Sequence, residues 1–162
     1  MSLREEIQQR RAFTSIQEEA LLSVFVTGDL LSRGLHEMLR THGLTLAQYN
    51  VLRILRGAGK DGLPLMKVAR RMIVRYPNIT RLTDRLETEG WIRRERSTRD
   101  RRVVRTFVSA TGLEMLSRIN GEIDQLTCHL MRGAEIDQLE RLIEILTAVR
   151  APLRDGDGKP VP

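Results

Sequence analysis

Between Leu65 and Val108 two short helical runs of apolar residues are followed by a change to strand-like spacing, and few folds accommodate that order. Leu65, Val68, Ala69 and Met72 recur at intervals of three and four, the signature of one buried face of a helix. After a tight turn predicted around Val74 to Tyr76, Ile79, Leu82 and Leu86 repeat the pattern until Gly90 ends it. Trp91 to Ser97 and Arg102 to Val108 then read as two short strands, with Ile92, Val104 and Val108 among their apolar or β-branched positions and Thr98 to Arg101 as a polar tip. Pro64 and Pro77 suit the first residues of the two helices, where the missing N–H would be unpaired in any case.

Longer helical patterns flank this unit. Ser15 with Glu18 reads as a capping box opening a helix that ends near Gly43, with Leu21, Leu22, Phe25, Leu30, Leu31, Leu35 and Met38 on its apolar stripe. Thr45 with Gln48 repeats the signature ahead of Tyr49, Leu52 and Leu55, and Gly57 and Gly59 are expected to stop that helix. Two amphipathic helices close the pattern. One runs from about Ala110 through Leu113, Leu116, Ile119, Ile123, Leu126 and Leu130, the other from about Glu135 through Leu139, Leu142, Ile143, Leu146 and Val149, with Pro152 as its end. The expected fold class is mainly α with a small β-hairpin wing: a winged helix-turn-helix plus N- and C-terminal dimerisation helices. The organisation predicted is an arm and dimerisation helix over 1–44, the winged lobe over 45–109, dimerisation helices over 110–153 and a disordered tail over 154–162. At 162 residues the chain suits one compact domain with attached helices.

Charge is concentrated on the same unit. Lys67 to Arg105 holds 13 basic and 5 acidic residues, a charge of +8, and the remainder of the chain carries −2. A solvated basic face is the plain explanation of any such stretch, but here the arginines fall where a polyanion would be read. Asn78, Thr80, Arg81, Asp84 and Arg85 lie outside the buried stripe of the second helix, and they are hydrogen-bonding or charged types suited to base edges and phosphates in a major groove about 12 Å wide. The hairpin adds Arg93, Arg94, Arg96, Arg99, Arg101, Arg102 and Arg105, with Asp100 either holding Arg102 extended or serving as a plain turn-forming residue.

These residues resemble the MarR (multiple antibiotic resistance regulator) transcription factors. The resemblance runs through Leu44-Thr45-Leu46-Ala47-Gln48-Tyr49-Asn50-Val51-Leu52, Val68-Ala69, Ile79-Thr80-Arg81-Leu82-Thr83-Asp84-Arg85-Leu86-Glu87, Gly90, Asp100-Arg101-Arg102 and Ser109-Ala110-Thr111-Gly112. It implies a homodimer held by the terminal helices and bound to a pseudo-palindromic site in double-stranded DNA, usually as a repressor. Asp100 and Arg102 would bring an arginine to the minor groove, and a small molecule or oxidant would release the DNA. The terminal apolar stripes, larger than a small winged lobe needs to bury, independently suggest a dimer. A small aromatic or anionic effector is expected between the dimer helices and the winged lobe, with Tyr49 and Arg53 as its candidate contacts.

No nucleophile motif, phosphate-binding glycine loop or suitably spaced carboxylate pair is present, so no enzyme and no cofactor are expected. No metal is expected either, since Cys128 and His129 are adjacent and cannot share a helix face, and His36 and His42 lie far away in sequence. Cys128 itself reads as a small buried hydrophobe rather than a redox switch. The opening residues lack the pattern of a secretory leader, and no run approaches the roughly 20 apolar residues of a membrane span, so the cytoplasm is the expected location. The alternative is a nonspecific nucleic-acid or protein interaction module, which would not require Asn, Thr and Asp beside Arg on one helix.

Overall fold

The computed structural model describes residues 2–96 and 103–155. The chain divides within its sixth helix, between Leu126 and Thr127, into two compact units, and each is described by itself. In the first unit, α1 (Leu3–Glu6) precedes α2 (Ile16–Thr41), α3 (Leu46–Ala58), a single 3-10 turn (Gly59–Asp61), β1 (Leu63–Pro64), α4 (Leu65–Arg71), α5 (Ile79–Thr88), β2 (Ile92–Arg96), β3 (Val104–Val108) and most of α6 (Ala110–Leu130). The second holds the end of α6 and α7 (Ile136–Asp155). The three strands form one antiparallel sheet in the order β1-β3-β2, with Leu63 opposite Thr106 and Arg94 opposite Thr106 from the other side.

Local chemistry sets the boundaries. Thr45 and Gln48 form the complete capping box: the Thr45 hydroxyl accepts from the Gln48 N–H, and the Gln48 side-chain oxygen accepts from the Thr45 N–H at 2.8 Å. Ser15 makes only half of one. Its hydroxyl caps the Glu18 N–H, but the Glu18 carboxylate turns to the N–H and hydroxyl of Thr14, each at 2.7 Å. Those two donors hold the Glu18 carboxyl below its ordinary range, the hydroxyl contributing more. α2 and α5 both end on glycines with left-handed backbones, Gly43 and Gly90, in the six-to-one pattern where Leu44 N–H bonds the Leu39 carbonyl and Trp91 N–H the Leu86 carbonyl.

Several boundaries differ from the sequence expectation. Pro64 is not a first helical residue; it pairs with Arg105 in β1 and sits just before α4 with extended backbone, its absent N–H harmless on an edge strand. Pro77 precedes Asn78, and the latter caps α5 by accepting the Arg81 N–H. The connection from α4 to α5 spans residues 72–78, longer than the tight turn expected. Gly57 lies inside α3, and Gly59, at φ 57°, ends it. Pro152 lies inside α7, which continues to Asp155; a proline near a helix end removes a single backbone bond, and the turn around it persists.

The core of the first unit joins α2, α3, α4, α5, the sheet and α6. Leu39, Val51, Leu52, Leu55, Val68, Leu86 and Ile119 are fully buried, with Leu44, Leu63, Leu82, Ile92 and Leu116 around them. Thr106 is buried where Val104 is exposed, so β3 turns a hydroxyl inward between Arg94 and Leu63, and Leu113 is exposed beside the buried Gly112 and Leu116. Among the described residues no helix is long and apolar enough to cross a membrane.

Candidate nucleic-acid interface

α5 carries the site. Leu82, Thr83 and Leu86 face the core, and at helical spacing this leaves Thr80, Arg81, Asp84 and Arg85 exposed on the opposite side, with Asn78 exposed at its start. Thr83 is the unexpected member of the buried face. Its hydroxyl donates back to the Ile79 and Thr80 carbonyls at 3.0 and 2.9 Å, which lets a polar residue sit there fully buried. A groove of about 380 Å³ runs beside the helix start, bringing Asn78, Arg81 and Arg85 together with Thr45, Gln48, Tyr76, Pro77 and Leu82.

The outward residues are not equally free. Arg85 pairs with Glu89 on its own helix at 3.3 Å, leaving the guanidinium largely exposed. The Asp84 carboxylate, grouped in sequence with the base-reading side chains, is bound at 2.6 Å by the Arg94 guanidinium. Asn78 combines exposure with the helix cap, so its side-chain oxygen already has a partner.

The hairpin arginines divide as strand alternation requires. Arg93 lies 4.5 Å from the centre of the Phe107 ring and pairs with Glu95 at 2.7 Å. Arg94, on the parity of buried Ile92, turns inward onto α5 rather than toward solvent. Arg105 donates to the Asp61 carbonyl at 2.8 Å, tying β3 to the turn before β1. The wing-tip candidates Arg99, Asp100, Arg101 and Arg102 lie outside the described residues.

A second cavity, about 410 Å³, opens between α2, α3 and the connection from α4 to α5, lined by Ser32, His36, Thr45, Leu46, Ala47, Asn50, Met72, Ile73, Val74 and Tyr76. Most of this wall is apolar, and buried Asn50 supplies a polar point: its oxygen accepts from the Ile73 N–H at 2.9 Å while its amide nitrogen has no partner among the described residues. Tyr49, half-buried against the core, and Arg53, exposed, lie one turn apart on α3, and neither lines this cavity. Asn50 was not among the site residues expected from the sequence; a polar residue inside the apolar run Tyr49 to Leu52 was the one local signal that could have marked it. Cys128 is exposed, not buried, and His42 bonds Glu122 at 3.0 Å.

Residues 44–104 match the model of the MarR family. A MarR transcription factor structure from Planctomyces limnophilus is 31% identical, covering 85% of this chain and 99% of its own, at a TM-score of 0.65. A MarR family regulator of Streptomyces coelicolor, solved in complex with DNA, superposes at a TM-score of 0.78 with 22% identity over 93% of this chain and 96% of its own. The HTH-type transcriptional regulator TtmR of Methylorubrum extorquens is 28% identical across 89% of this chain and 72% of its own length.

Proposed function

The chain belongs to the MarR family of DNA-binding transcription regulators, and from that membership we propose that it is a ligand-responsive repressor that binds a pseudo-palindromic operator as a homodimer. The observation that carries this reading is the outer face of α5, where Thr80, Arg81 and Arg85 stand exposed on a helix anchored by Leu82 and Leu86 and flanked by the β2–β3 hairpin. Arg81, Arg85, Asn78 and Thr80 read base edges, and the wing residues Arg99, Arg101 and Arg102, with Asp100 orienting the last, grip the backbone and minor groove. Two copies put their α5 helices in successive major grooves about 34 Å apart. The exposed apolar residues of α2 and α7 hold the copies together.

The effector in this reading enters the cavity beside Asn50. A mostly apolar wall with a single unpaired amide donor suits a small aromatic compound bearing an acceptor or an anionic group. Met72 to Tyr76, on one side of that cavity, lead directly into α5, so an occupant biases the placement of the reading helix and weakens the fit to the groove repeat.

Selection of bound duplexes from random-sequence DNA tests the central claim. An inverted repeat is expected. Arg81→Ala is expected to change the selected sequence, and Arg102→Ala to weaken binding to every sequence and flatten its salt dependence. A sequence-independent outcome would replace this reading with the nonspecific interaction module.

A further inference from the structure

One arginine of the basic hairpin is turned inward onto α5. Arg94 on β2 is only 24% exposed, and its guanidinium spans three acceptors on the neighbouring helix: one terminal nitrogen reaches Asp84 at 2.6 Å and Glu87 at 3.3 Å, and the other donates to the Thr83 hydroxyl at 2.6 Å. Thr83 is fully buried and its hydroxyl is itself directed by the carbonyls of its own turn. The three partners run from the buried face of α5 at Thr83 through half-buried Glu87 to exposed Asp84, which borders the exposed Arg81 and Arg85.

We infer that Arg94 is the positioning residue of the reading surface: it clamps the wing strand to α5, fixing the aim of Arg81 and Arg85, and holds Asp84 as a clamp partner rather than a base contact. The inference rests on the reading of α5 as the helix that enters the groove. The guanidinium reaches its partners from two terminal nitrogens held in one plane at a fixed separation, a geometry that the compact ammonium of lysine, with its three donors on one atom, does not reproduce. The arrangement also answers an electrostatic difficulty. Asp84 lies between two arginines on a surface meant to approach phosphates, and a free carboxylate there would repel them. Bound to Arg94, it is neutralised by a cation that does not itself compete for the DNA. The clamp spans two elements that only tertiary packing brings together, so it fixes the angle between helix and wing before DNA arrives. Preorganisation of that kind favours the matched sequence, where the contacts depend on aim, over an arbitrary one held by charge alone.

The experiment compares the full chain with Arg94→Lys, Asp84→Asn and the double variant. Each is titrated against a duplex selected by the wild-type chain and against a scrambled duplex of the same composition. Arg94→Lys keeps the charge and is expected to lose about tenfold on the selected duplex and little on the scrambled one, since it breaks a charge-assisted hydrogen-bond network without altering net charge. Asp84→Asn is expected to lose selectivity in the same direction, and the double variant no more than the worse single variant, because both act through one contact. A purely structural role would lower both affinities alike as the folded fraction falls, so the ratio of the two affinities is the deciding quantity. Thr83→Val, which keeps the buried shape and removes only the hydroxyl, supplies a variant that stays folded, with a smaller loss of the same ratio. The inference is overturned if the ratio is unchanged in Arg94→Lys and Thr83→Val, or if the Arg94 and Asp84 losses multiply, which would make Asp84 an independent DNA contact. Should the wild-type chain select no sequence at all, the reading of α5 itself fails; loss of selection in Arg81→Ala with no effect at Arg94 removes the clamp alone.

Discussion

At the scale of single residues, the junction between α5 and α6 shows how little slack the lobe has. Ser109 donates to the Gly90 carbonyl at 2.6 Å and accepts the Gly112 N–H at 3.0 Å, so one hydroxyl both caps α6 and holds it to the end of α5. A side chain on Gly112 would meet the Trp91 carbonyl and stand 2.9 Å from a Val108 methyl. Because the obstruction is backbone, Gly112→Ala is expected to destabilise by about 1–3 kcal/mol, lowering the thermal midpoint by about 3–10 °C in a circular-dichroism melt. An unchanged midpoint would mean the contact relaxes. Glu18 gives a pH-dependent counterpart. Its carboxyl lies below the unfolded value, so the stability it lends α2 is complete above the unfolded carboxylate range and is lost as pH falls through the folded value. Thr14→Val removes the larger of its two donors, and the Glu18 titration followed by NMR is expected to move up toward the ordinary carboxylate range.

At the scale of elements, several caps were legible because they are written in neighbouring residues: Thr45 with Gln48 makes the full box, Ser15 caps Glu18 without the reciprocal bond, and Gly43 and Gly90 take positive φ at the ends of α2 and α5. What could not be read locally was decided by pairing across the fold. Pro64 fits a helix start and an edge strand equally well in its φ, and the partner Arg105 on β3, 41 positions away, selects the strand. The arginines of the hairpin look alike in sequence, yet β-alternation from Ile92 assigns Arg94 to the inner face, a signal available without coordinates. Asn78 illustrates the overlap between fold and site. Its side chain caps α5 and also faces solvent, so alanine there would disturb both roles. Asn78→Ser keeps a capping oxygen while removing the amide NH₂, and it is expected to leave the thermal midpoint within about 2 °C of wild type while lowering affinity for the selected duplex several-fold. Equal affinity with an intact midpoint would confine Asn78 to the cap.

At the scale of the whole molecule, apolar side chains left exposed call for a partner. On α2, Ile16, Leu21, Val24, Phe25 and Leu30 are each about half or more exposed, and on α7 Ile136, Ile143, Ile145, Val149 and Leu153 are too. Single exposed hydrophobes are ordinary, but each of these two helices carries five of them, more than scattered surface residues would explain. In the proposed homodimer a second copy of the chain would cover them, since a two-fold pair presents the same residues from both sides. The expected solution mass is therefore about twice 18.6 kDa by sedimentation equilibrium at micromolar concentration. Phe25→Glu on α2 and Ile143→Glu on α7 each introduce a charge among the exposed apolar residues of their own helix without touching the buried core, because both residues are 63% exposed. Each is expected to shift the chain toward monomer with its circular-dichroism spectrum retained. Affinity for an inverted repeat is then expected to fall far more than affinity for an isolated half-site, because joint binding of two lobes gains its strength from their connection rather than from new contacts. A wild-type monomer that still selects an inverted repeat would assign the symmetry to assembly on DNA, with the apolar faces of α2 and α7 meeting only there.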